Sequence, residues 1–290
     1  MQNRRISFFL FVFTLEMRVN EHTAISTSRI LLVPYGAHHV ERYHEWMQDE
    51  VLREATASDP LTLEEEYENQ QSWRTAHDKL TFIVCQRANN GATRDINASE
   101  TTSSAPPVVY AGEDDAPCRM VGDVNLFLTP CDTEEEEEDG DNHDRDDKDG
   151  NENKDTNSAE ARNLQGEIDI MIASSGHRRS GLGTAAVCAI LLYLTTHHDA
   201  VIREYSSVSS TSSSSSTTAR LKQLVAKTNA DNAASIRLFS NLGFRRAGEP
   251  NYFNEIAMVA EFPLSSTRVV EEGGEKGYAE CLYDRSRLKI

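Results

Sequence analysis

Apolar positions along this chain recur in two rhythms. Short alternating or continuous runs predict strands at Arg29–Pro34, Thr81–Gln86, Met120–Leu128, Glu167–Ala173 and Leu221–Thr228, with others near Arg245–Ala247 and Tyr252–Glu261. Longer stretches with helical spacing predict helices over about His38–Arg53, Leu63–Thr75, Thr184–His197 and Ala233–Leu242. In the last of these Ile236, Phe239 and Leu242 share one face, and Gly243 follows as a natural C-terminal cap. The interleaved order of strands and helices predicts a mixed α/β fold.

Three low-complexity stretches break the rhythm, at about residues 87–117, 132–163 and 206–218, the last rich in serine. We expect one domain over residues 17–262 with these as insertions, and a loose tail over 263–290, where apolar content is low. Charge sharpens this reading. The chain has a formal net charge of −18, and Asp132–Glu160 alone holds 15 Asp/Glu against 3 Lys/Arg. That run contributes −12, so the remainder carries only −6. The acidity belongs to a solvated loop, and it excludes nucleic acid as a partner.

Five cysteines (Cys85, Cys118, Cys131, Cys188, Cys281) form no C-x-x-C pair, which fits a reduced, cytoplasmic setting. His38-His39 and His197-His198 are adjacent pairs without metal-ligand spacing, so no metal is assigned. Arg4-Arg5 followed by the apolar run Ile6–Phe13 has the form of a signal segment. It lacks a small-residue cleavage site and is too short to span a bilayer, so no stable membrane insertion is expected. An upstream start codon ahead of Met17 accounts for residues 1–16 better than targeting does.

The most chemical segment is Arg178-Arg179-Ser180-Gly181-Leu182-Gly183-Thr184. It joins the strand ending at Ala173 to a strongly apolar helix. Strand, glycine-rich turn and helix make an anion cradle: glycines admit close approach, and a helix N-terminus offers unpaired N–H groups. The arginines add donors suited to a diphosphate. No Gly-Lys-Ser/Thr follows, so it is not a Walker loop, and a glycine of the dinucleotide fingerprint is missing. The R-x-x-G-x-G pattern resembles the acyl-CoA pyrophosphate loop of the GNAT acetyltransferases. Asn229-Ala230-Asp231-Asn232 through Ser235-Ile236 to Leu242-Gly243-Phe244, after a strand, resembles the second signature of that family. Tyr43–Met47, Ala57–Tyr67 and Met120–Thr129 are similar to the N-acetyltransferase 9-like proteins.

The resemblance implies a GNAT fold, a splayed mixed sheet flanked by helices, with strands Glu167–Ala173 and Leu221–Thr228 starting adjacent and parting. It implies acetyl-CoA as co-substrate and a protein amine as acceptor, either an N-terminal α-amine or a lysine; a link to tubulin belongs to that branch. On it, Arg178–Thr184, Met171, Ile172, Ala173 and Asn232 would hold the cofactor, with Asn232 also capping its helix. Acetyl transfer needs a neutral amine and a donor for the thioester oxygen. Glu167 is the first candidate base and Asp169, on the same strand face, the second. A backbone N–H near Met171 or Ile172 would serve the oxygen. Many family members place a tyrosine where Phe239 stands, so the acid is missing there; Tyr252 is distant and reads as structural. Tyr43, Trp46 and Tyr67 read as helix packing beside the acceptor cleft. Phe239 also keeps open a non-catalytic alternative, a scaffold of this fold that binds a partner such as microtubules.

Overall fold

The computed structural model describes residues 19–87, 106–131, 162–208, 219–264 and 277–288. Residues 1–16, most of the three insertions and part of the tail lie outside these. Ten strands run in chain order: β1 Thr23–Ser26, β2 Ile30–Pro34, β3 Lys79–Gln86, β4 Val108–Tyr110, β5 Met120–Pro130, β6 Arg162–Ile172, β7 Ala219–Asn229, β8 Arg245–Ala247, β9 Glu255–Glu261 and β10 Ala279–Asp284. Five helices accompany them: α1 Val40–Trp46, α2 Glu50–Ala55, α3 Leu63–Thr75, α4 Leu182–Val208 and α5 Ala233–Asn241. The strands form one sheet in the order β4-β10-β1-β2-β3-β5-β6-β7-β9-β8. All neighbours are antiparallel except β10 with β4 and β6 with β7.

Strand alternation divides the core in two. On one face Ile30, Leu32, Phe82, Val84, Val124, Leu126, Ile168 and Leu224 pack beneath α4 and α5. On the other Leu31, Val33, Ile83, Cys85 and Met171 pack against Tyr43, Trp46 and Leu52 of α1 and α2. α3 closes that face, with Trp73 edge-on to Phe127 and Gln70 Nε2 donating to the Tyr35 carbonyl at 3.0 Å. Its start is set by a capping box between Thr62 and Glu65. The first half of α4, Ala185–Leu194, is apolar nearly all round because it is buried nearly all round. Ala186, Val187, Cys188, Ala189 and Leu191 have no exposure, which is the signature of a core helix.

Several expectations need correction. The predicted helix over His38–Arg53 is two helices, broken where Asp49 caps α2 by accepting from the Val51 N–H. Residues 106–117 of the first insertion are folded and include β4. β6 begins at Arg162, inside the second, and α4 extends into the third as far as Val208. The tail is not loose throughout: β10 is an interior strand between β1 and β4.

The reason β4 and β10 hold is a buried clasp. Asp115 Oδ2 accepts from His38 Nε2 at 3.1 Å, from His39 Nε2 at 3.0 Å and from the Tyr283 hydroxyl, while its Oδ1 accepts from the Gly112 N–H. Those donors hold the Asp115 carboxyl well below the usual carboxylate range, against the opposing effect of burial. His39 Nδ1 accepts from the Gly36 N–H at 3.0 Å, which leaves the ring proton on Nε2. Nε2 then donates to Asp115, and His38, His39 and Asp115 form one close cluster.

Candidate active site

β6 and β7 pair in parallel only from Arg162 with Ala219 to Glu167 with Val225. Beyond Glu167 they part, while β7 stays paired with β9 up to Asn229. The wedge leaves one edge of β6 uncovered over Ile168–Ile172. The Ala173 N–H donates to Val121 of β5 at 2.9 Å, so by alternation Met171 also points its backbone at β5. Ile170 and Ile172 point theirs into the wedge. Of the two residues expected to supply a backbone donor, Ile172 is the one so turned.

The loop after β6 is shaped by two left-handed residues. Arg179 has φ +60° and Gly181 φ +83°. At Gly181 a side chain would be strained by that φ, and Arg29, whose guanidinium lies against the glycine, would have to shift. Arg179 occupies a conformation in which glycine costs less. α4 starts at Leu182, and its first helical bond runs from the Ala185 N–H to the Gly181 carbonyl at 3.0 Å. The N–H groups of Leu182, Gly183 and Thr184 precede that bond and point out of the helix start, an anion-binding arrangement. Gly183 is different from Gly181. A Cβ there would meet nothing nearer than Leu238 Cδ1 at 3.5 Å. The fold has room for a side chain at Gly183, so its glycine suits whatever approaches the cradle.

A cavity of about 490 Å³ opens at this wedge. Of the expected cofactor residues, Met171, Ile172, Arg178, Arg179, Gly181, Gly183, Thr184 and Asn232 line it. Ala173, Ser180 and Leu182 do not. Leu182 turns its side chain into the core, and the Ser180 hydroxyl donates back to the His177 carbonyl. Arg178 commits donors to the frayed end of β6, Nε to the Ile172 carbonyl at 2.9 Å and Nη2 to that of Ala173 at 3.2 Å. It braces the strand end as well as facing the cavity. Asn232 caps α5, its side-chain oxygen accepting from the Ser235 N–H at 3.2 Å.

Sequence reasoning missed much of the lining. Ala234, Leu238 and Asn241 form one stripe of α5, legible in its helical spacing. Leu52, Ala55 and Thr56 come from α2 on the opposite face of the sheet, and nothing local marks them. The cavity therefore reaches through the sheet, from the α4–α5 face to the α1–α3 face.

Glu167 and Asp169 lie on the α1–α3 face of β6 and do not line the cavity itself. Glu167 is in the middle of the strand rather than at its beginning. One of its oxygens accepts from Lys227 Nζ of β7 at 2.8 Å, an ion pair across the mouth of the wedge. Asp169 is on the stretch that is paired with β5 but no longer with β7. Burial raises its carboxyl to about 6, the Glu167 charge adds to the rise and Lys227 opposes it. Phe239 is a core residue, 2% exposed and edge-on to Phe244. Tyr252, expected as structural, is 97% exposed. Tyr43 and Trp46 are buried packing as expected, while Tyr67 is partly exposed.

Residues 29–245 match the Acetyltransferase (GNAT) domain model. The chain belongs to the GNAT acetyltransferase family, and its activity is that of an N-acetyltransferase. It is 35% identical over 245 residues to an N-acetyltransferase 9-like protein of Schizosaccharomyces pombe, covering 83% of this chain and 97% of that one. It is 34% identical to the human alpha/beta-tubulin-N-acetyltransferase 9, covering 83% and 84%. Among solved structures, a spermidine N-acetyltransferase from Vibrio cholerae is similar at 12% identity and a TM-score of 0.48, covering 82% of this chain and 98% of that one.

Proposed function

We propose that this chain transfers the acetyl group of acetyl-CoA to a protein amine in the cytoplasm, with tubulin the leading acceptor. The observation that carries the reading is the cavity that crosses the sheet at the wedge. A diphosphate on the N–H groups of Leu182–Thr184 would leave the pantetheine arm running along the uncovered edge of β6, where Ile170 and Ile172 offer backbone partners in the manner of an added strand. The thioester then arrives at the wedge from the α4–α5 face, and an amine reaches it from the α1–α3 face. Holding both there makes the step effectively unimolecular.

The amine nitrogen attacks the thioester carbonyl, whose oxygen gains charge beside the Ile172 N–H. A carbon–nitrogen bond forms, the carbon–sulfur bond breaks, and a proton leaves the nitrogen. Asp169 suits that proton better than Glu167, since a carboxylate raised toward neutrality is a stronger acceptor and Glu167 is engaged by Lys227. With Phe239 buried and lacking a hydroxyl, the thiolate departs unaided and takes its proton from solvent, which a thiol of ordinary acidity permits. Tubulin is favoured because relatives at 33–34% identity in mouse and human carry it in their names.

The test is transfer of labelled acetyl from acetyl-CoA to purified tubulin dimers, to peptides of their N-termini and to a lysine-peptide pool, read by mass spectrometry. Label on an N-terminal amine of tubulin supports the reading. Label confined to lysine peptides replaces the acceptor class, and no transfer to any amine refutes the proposal.

A further inference from the structure

Behind Asp169 the α1–α3 face of the sheet is polar where a core should be apolar. The strand register sets Thr81 of β3 opposite Asn125 of β5, and Asn125 opposite Asp169 of β6. Asp123 stands two residues from Asn125 on the same face. Thr81, Asp123 and Asn125 are all buried. Asn125 Nδ2 donates to Asp123 Oδ2 at 2.6 Å. Thr81 Oγ1, Asp123 Oδ1, Asn125 Oδ1 and the Tyr35 hydroxyl are buried too, and among the described residues none makes a hydrogen bond to another protein group. A lone orphan would be a defect costing about 1–3 kcal/mol. Four on one face, three of them on adjacent positions of neighbouring strands, are the pattern that ordered water satisfies.

We propose that Asp123 is a positioning residue for acetyl transfer: it receives, through water held by Thr81, Asn125 and Tyr35, the proton that Asp169 takes from the acceptor amine. The inference rests on the acetyltransferase reading above and deepens it. The amine proton moves to the Asp169 carboxylate. Asp169 passes a proton to the water row, and the row passes one to the Asp123 carboxylate, which becomes a carboxylic acid. Asp169 is thereby returned to its anionic form beside the reacting centre, and Asp123 later releases its proton to solvent along the same row.

The surroundings of Asp123 suit a group that binds and gives up a proton near neutrality. Burial raises its carboxyl to about 7, the Asn125 hydrogen bond opposes the rise and the Asp169 charge adds to it. Asp169 ionises first and the more buried Asp123 second, so the pair titrates as a unit. The titratable groups facing this pair are Tyr35 before α1, Tyr43 of α1, Glu66 of α3, and Glu167 and Lys227 at the wedge. Burial raises both tyrosines and Glu66, so Lys227 is the one cation among those named, and it lies on the Glu167 side.

The test compares the full chain with Asp123→Asn and Thr81→Val, using acetyl-CoA and the best amine found above. Folding is checked by circular dichroism and acetyl-CoA affinity by calorimetry. For the parent, kcat should rise with pH in two steps, near 6 and near 7, with a curved proton inventory in mixed heavy water. Asp123→Asn should lose the upper step, lower kcat about 10–100-fold, straighten the inventory and leave acetyl-CoA affinity unchanged. Thr81→Val, which removes only a water partner, should lower kcat several-fold with the same straightening. A parent pH profile and kcat in folded Asp123→Asn overturns the inference and leaves the acetyltransferase reading standing. Unchanged kcat in Thr81→Val with an unchanged inventory overturns the water row. No transfer by the parent on any amine overturns the acetyltransferase reading, and this inference with it.

Discussion

Replacing Gly183 by alanine separates what the fold needs from what the ligand needs. The new Cβ would stand 3.5 Å from Leu238 Cδ1 and 3.8 Å from the Cγ1 atoms of Ile170 and Ile172, all ordinary contacts. Gly183 is helical and keeps its φ negative, so alanine is not strained there. A glycine-to-alanine change at a compatible position stabilises by about 0.4–1 kcal/mol through the unfolded chain. In a protein of this size that is a rise in Tm of about 1–4 °C. The same methyl sits in the first turn of α4 at the wall of the cavity, where a diphosphate must come within hydrogen-bond reach of the backbone. Loss of one charge-assisted bond is worth about 1.5–3 kcal/mol, or roughly 10–150-fold in affinity. Thermal unfolding with and without acetyl-CoA reads both quantities, because a bound ligand adds RT ln(1 + [L]/Kd) to stability. The variant should melt higher than the parent alone and lower than the parent with saturating acetyl-CoA. A variant that melts lower without ligand would show that the fold requires glycine here. A variant that keeps the full shift with acetyl-CoA would refute the close approach.

Four further outcomes are expected. Asp169→Asn should lower kcat by about 10²–10⁴-fold and Glu167→Gln by under about tenfold; in the parent, activity should be lost as pH falls through about 6, since the carboxyl raised to that value must be ionised to accept a proton. For Asp123 the folded carboxyl is raised to about 7 from an ordinary 3.8, so the folded state holds that proton more tightly and the parent loses stability as pH rises between those values. Asp123→Asn should therefore gain in Tm on the parent progressively as pH rises from about 4 to 7 and exceed it most at pH 8. Tyr283→Phe removes one donor to buried Asp115 and should cost about 1.5–3 kcal/mol in chemical denaturation while leaving acetyl-CoA affinity unchanged. Residues 132–161 join strands paired through Pro130 with Leu164 and closed by the Cys131 N–H to the Asn163 carbonyl at 2.9 Å, so a short Gly-Ser link in their place should shift Tm by no more than about 2 °C.

The sequence was most readable where chemistry is local. Two glycines before an apolar helix, and an asparagine three residues before a serine, announce a loop and a cap, because the residues that make each one are adjacent. The paired strands β2, β3, β5, β6, β7 and β9 were readable for the same reason, since each shows its own alternation. β4 and β10 were not. They are three and six residues long, and each depends on partners far along the chain. Their stability comes from Asp115, two histidines and Tyr283, which no window of sequence brings together. The α2 wall of the cavity was hidden similarly: Leu52, Ala55 and Thr56 acquire meaning only once the wedge in the sheet exposes them. Asp123 was hidden by its type, because an aspartate on a strand ordinarily marks a solvent face.

The place of β10 bears on how the chain comes to be folded. A strand made from Ala279–Asp284 lies inside the sheet, between β1, about 250 residues earlier in the chain, and β4. Until synthesis reaches Tyr283, the β1 edge has no neighbour and β4 has nothing to pair with. An open edge of that kind invites pairing with another chain. Chains cut short before residue 277 would therefore carry the whole glycine loop and wedge and still be prone to clump.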